Sequence, residues 1–60
     1  MKIFACLNLN DEVIEIKEMN PAVGDAVEGA YAYIQVGTGG VVETIPTIGQ
    51  KWDGENIRFI

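Results

Sequence analysis

Nine carboxylates, one cysteine, a glycine-rich tetrapeptide and an acidic Asp-Gly segment are the residues of this chain that could do chemistry, and it has no histidine. A pair of carboxyl groups working as acid and base must face each other across a cleft. Sixty residues arranged as hairpins leave little wall for one, and histidine, the commonest general base, is missing. Glu12, Glu15 and Glu18 read instead as the soluble surface of one hairpin. Cys6 has no histidine to activate it, and Lys2 is distant in the pattern. Its place on an apolar strand between Phe4 and Asn8 suits a small buried hydrophobe, with an intermolecular disulfide or a redox role as the alternative. A lone cysteine forms no disulfide within the chain, and without histidine there is no Cys/His zinc set.

The two loop motifs have the same outcome. Gly37-Thr38-Gly39-Gly40 resembles a phosphate cradle only superficially. Such a loop must run into a helix whose first N–H groups hold the anion, and here a β-branched run, Val41-Val42-Glu43-Thr44-Ile45, follows with no lysine nearby. A hairpin turn is the expectation. Asp53-Gly54-Glu55-Asn56 is acidic, but calcium takes six to eight oxygens at set positions and the helix-loop-helix calcium spacing is absent. It too reads as a turn. We therefore expect no enzyme activity, no cofactor and no metal.

Charge narrows the partners. Lys2, Lys17, Lys51 and Arg58 are scattered against nine acidic residues, a net of -5. Phosphate backbones are held by clustered Lys and Arg, so neither nucleic acid nor an anionic membrane is an expected partner. No apolar run approaches the ~18 residues of a membrane-spanning helix, and residues 1–20 lack the pattern of a secretory leader. Synthesis in a reducing cytoplasm is expected.

The elements behind these residues read as strands of one domain, residues 1–60. In residues 2–9 Ile3, Ala5, Leu7 and Leu9 share one face while Phe4 and Cys6 share the other, the pattern of a central strand. Asn10-Asp11 supplies a turn. Residues 12–18 then alternate, with Ile14 and Ile16 on one side and Val13, Glu15 and Lys17 on the other. A hairpin over 2–18 follows. Asn20-Pro21 ends it, and residues 21–28 read as a loop or one helical turn closed by Gly29. Ala30, Ala32, Ile34 and Val36 alternate with Tyr31, Tyr33 and Gln35, and a return strand at 41–45 completes a second hairpin over 30–45, ended by Pro46. A loop at Asp53–Asn56 sets Trp52 opposite Ile57 and Gln50 opposite Phe59, with Lys51 and Arg58 together on the polar side. The expected fold is mainly β, a small antiparallel sheet or barrel-like meander of five or six short strands.

A domain of this length buries only about 60% of the surface of its unfolded chain. Its core rarely supplies more than ~3–5 kcal/mol. Without disulfide or metal, the remaining source of stability is protein contact. Tyr31, Tyr33 and Gln35 lie opposite the Ala/Ile/Val face of their strand, where they either form an interface or cover a second small core. Val42 and Thr44 lie on the expected edge strand, which no lysine or proline guards, so addition of a partner's strand is an expected docking mode. The candidate protein interface is therefore Tyr31, Tyr33, Gln35, Val42 and Thr44, with a homo-oligomer or a many-copy lattice as the expected assembly.

Met1-Lys2-Ile3-Phe4-Ala5-Cys6-Leu7-Asn8, followed by the Asn10-Asp11 turn and Val13-Ile14, resembles the opening of many small phage proteins. Ile48-Gly49-Gln50-Lys51-Trp52-Asp53-Gly54-Glu55-Asn56-Ile57 resembles the IG-x-x-W-DG-x-x-F ending of short tailed-bacteriophage virion-associated proteins. Ile57 stands where that ending has Phe, and Phe59 follows two residues later. The likeness touches both ends, about half the chain, and carries no catalytic positions. It implies a virion structural protein, a capsid decoration or cement subunit or a small tail accessory, that docks on the major capsid or tail protein. A phage-encoded inhibitor of a host protein is the alternative, and the acidic charge suits a basic host surface.

Overall fold

The computed structural model describes residues 2–20 and 30–60. Among them every regular element is a strand: β1 (Lys2–Leu7), β2 (Val13–Met19), β3 (Ala32–Val36), β4 (Trp52–Asp53) and β5 (Arg58–Phe59). The mainly β fold expected from the pattern is the one found. The expected loop or helical turn at 21–28 lies outside the described residues.

The doubly apolar strand is central. β1 pairs antiparallel with β2 on one side and β3 on the other, giving the order β2-β1-β3. Its alternation feeds two clusters. Ala5 and Leu7 join Val13 and Val36 on one face, with Ile3, Ile16, Ala32, Ile34, Trp52 and Phe59 packed around them. Phe4 and Cys6 lie on the other face beside Met19 and Ala30. Leu9, expected on the first face, is 75% exposed, because the strand ends at Leu7 and the chain has begun to turn.

The first hairpin forms as expected, though its strict alternation does not survive. Cys6 pairs with Glu15 but Leu7 pairs with Val13, so Ile14 is an extra residue in β2. This bulge shifts the pleat by one position. Val13 and Ile16, three residues apart, both face the first cluster, while Ile14 is left 45% exposed. The turn is organised by a residue the turn signal does not mark. The Asn8 side-chain oxygen accepts from the N–H groups of Asn10 (2.9 Å) and Glu12 (3.1 Å), and Asp11 takes a φ of 61°.

The second hairpin does not form. β3 finds its partner in β1, far away in sequence, and residues 41–45 are not a strand. A single parallel bridge joins Val36 to Val42. The Val41 N–H reaches the Gln35 carbonyl at 2.8 Å and the Gly37 N–H reaches the Val42 carbonyl at 2.9 Å. Gly37 and Gly39, at φ of 82° and 85°, make this tight return. Gly40 sits so close to β3 that a Cβ there would fall 2.6 Å from the Gln35 carbonyl oxygen and 2.7 Å from the Val36 Cα. Ala30 also departs from its expected face. The Tyr31 N–H is turned onto the Leu7 carbonyl (3.0 Å), and Ala30 rests beside Phe4 and Cys6.

The C-terminal hairpin exists with its register moved. Trp52 pairs with Phe59 and Asp53 with Arg58, so the loop is 54–57, and Gln50 has no place in the ladder. Instead Gln50 closes its own turn, its side-chain oxygen accepting from the Thr47 N–H at 2.8 Å, with Gly49 at a φ of 100°. That turn brings the tail to β2. The Val13 N–H donates to the Gln50 carbonyl (2.8 Å), the Gly49 N–H to the Val13 carbonyl (2.9 Å) and the Trp52 N–H to the Asp11 carbonyl (2.8 Å). Trp52 and Phe59, with ring centroids 4.9 Å apart, then cover the first cluster.

Two substitutions test this arrangement. Gly40→Ala forces a methyl against backbone, and overpacking of this kind costs about 1–3 kcal/mol. A lower urea midpoint at unchanged slope is expected. Leu7→Ala empties the centre of the first cluster at a cost of about 2–5 kcal/mol, comparable to the whole stability of so short a domain. Its circular dichroism should be that of a largely unfolded chain at 25 °C.

Candidate protein interface

Tyr31, Tyr33 and Gln35 are carried by β3 and its approach. Tyr33 pairs across to Cys6 and Gln35 to Phe4, which places both on the face of the second cluster. The Tyr33 ring meets Phe4 edge-on, 5.5 Å between centroids, while still 43% exposed. Such diagonal aromatic pairs are a normal stabilising unit of a sheet. Tyr33 thus packs on the second cluster through Phe4, and Tyr31, 70% exposed, rests against no ring among the described residues. Gln35 is half-buried.

Val42 lies beside Val36 through the parallel bridge and is half-buried, whereas Thr44 is exposed further along the chain. The structure therefore groups Tyr33 and Gln35 on one face, with Tyr31 at its end. Val42 sits at the edge of β3, and Thr44 falls outside the group. The expectation of an open strand at 41–45 is corrected. β3 is one edge of the sheet, and residues 41–42 take its Gln35 carbonyl and the Gly37 N–H.

Further apolar groups are exposed that the periodicity did not single out. Val41 is 60% exposed, Ile45 49%, Ile48 67%, Ile57 51% and Ile60 60%. Ile57 combines exposure with strain, having a φ of 53° at the end of the 54–57 loop. A β-branched side chain is rare in that left-handed region. The signal that could have marked it is its position in a tight loop after Asp-Gly, where Asn or Gly is the usual occupant.

The acidic loop is a self-contained turn. Asp53 accepts from the Glu55 N–H at 3.2 Å and the Asn56 side-chain amide at 2.8 Å, and it meets the Arg58 Nε at 3.5 Å. The Asn56 amide, the backbone N–H groups of Asn56 and Glu55 and the guanidinium hold its carboxyl below the ordinary 3.8, against a smaller opposing effect of burial. Its oxygens are engaged by the loop itself. Arg58 accordingly pairs with Asp53 across the strands, while the Lys51 backbone pairs with Ile60. On the second face Lys17 and Glu15 are 3.3 Å apart. Cys6 is buried, and desolvation pushes its thiol above the ordinary 9.0, with Lys17 opposing and Glu15 adding to the rise.

Comparisons with models of protein families, with curated proteins and with solved structures found no match to this chain.

Three outcomes follow from this geometry. Cys6 should react with a maleimide far more slowly in the native protein than in urea; equal rates would mean the thiol is accessible. The depressed carboxyl of Asp53 contributes stability that is present above its unfolded value of 3.8 and lost as pH falls through the lower folded value. Urea midpoints measured down through that range should fall more steeply for the parent than for Asp53→Ala. Ile57→Asn places a residue that tolerates positive φ in the loop, and should raise the unfolding midpoint by an amount worth roughly 0.5–1 kcal/mol.

Proposed function

We propose that this chain is a structural subunit of a tailed-bacteriophage particle, docking on other virion proteins as a capsid decoration or cement subunit or as a small tail accessory. The observation that carries the docking part is the balance of its apolar residues. Among the described residues the buried hydrophobic core has six members, two of them as small as Ala5 and Cys6, while nine large apolar side chains are exposed. Scattered exposed apolar groups are ordinary on a protein surface. In a domain this small, held by no disulfide and with its one cysteine free, such a surplus supports a role in which neighbours complete the burial. Binding to the native form would then add to apparent stability.

The assignment to a phage particle rests on the resemblance of the two ends, and the structure gives that ending a physical role. The Ile48-Gly49-Gln50 turn and Trp52 close the tail over the first cluster. Tyr31 is the contact residue this reading favours. It is large, aromatic, mostly exposed and bears little of the fold. Aromatic anchors of an interface commonly account for 2 kcal/mol or more of binding, roughly thirtyfold in affinity.

Mass spectrometry of purified particles tests the assignment. The chain should be present at a fixed stoichiometry, in hundreds of copies for a head lattice or six to twelve for a tail or neck position. Its absence from particles, with a host protein recovered instead, would sink the assignment and leave inhibition as the reading. On particles stripped of the chain, Tyr31→Ala should rebind roughly thirtyfold more weakly while its urea midpoint stays close to the parent's.

A further inference from the structure

We draw no further inference here: the strongest candidate, the exposed apolar patch of the C-terminal hairpin with strained Ile57 in its loop and Ile60 at its end, is an unpartnered surface, and nothing in the structure shows what covers it.

Discussion

Val13 is where the two halves of this protein meet. Its side chain is buried in the first cluster, and its backbone N–H and carbonyl are both taken by the Gln50–Gly49 turn. In a β2 of strict alternation Val13 would lie on the face opposite Ile16. The extra residue at Ile14 shifts the pleat so that Val13 and Ile16 point inward together, and Val13 turns its polar backbone groups away from β1. Without that bulge, the tail would lose its hydrogen-bonding partner and Trp52 and Phe59 would lose their route onto the first cluster. Buried backbone groups left unpaired are costly, so the tail and the bulge support each other.

From this follows the economy of the core. β1 supplies side chains to both faces, and the tail hairpin covers one of them. The second face is closed in part by the Phe4–Tyr33 pair and by Met19 and Ala30. Five short strands cannot hide every apolar group of a chain that is 48% hydrophobic. Among the described residues, large apolar groups lie on the surface at Leu9, Ile14, Tyr31, Tyr33, Val41, Ile45, Ile48, Ile57 and Ile60. Docking on a larger assembly is the reading that gives these groups a use.

The strands near 2–9, 12–18 and 30–36 were legible because they rest on local alternation and turn chemistry, whereas the strand expected at 41–45 does not form. The central place of β1 could be read from its apolar residues on both faces, and the burial of Cys6 from its position among them. Pairing was less legible. Residues 41–45 are as β-branched as any strand here, yet the glycines at 37–40 return the chain so tightly that it meets β3 at one bridge and leaves. β3 pairs instead with β1, which offers a row of apolar partners from Ile3 to Leu7. The tail register differs from the expected one by two residues because an Asp-Gly signal marks where a loop begins more firmly than how long it is. Here Asp53 uses its carboxylate to hold Glu55 and Asn56, and the loop extends to Ile57.

The sequence by itself determined that the chain is β-rich, acidic, without an internal disulfide and built around residues 2–18. Those properties depend on residue type and on spacings of a few positions. The tertiary structure alone decided which strand neighbours which, where the pleat slips, and that Tyr33 meets Phe4 while Tyr31 stands further out. Those outcomes depend on contacts between residues tens of positions apart. In such contacts one extra residue, such as Ile14, reverses every face beyond it, and a local pattern holds no record of that choice.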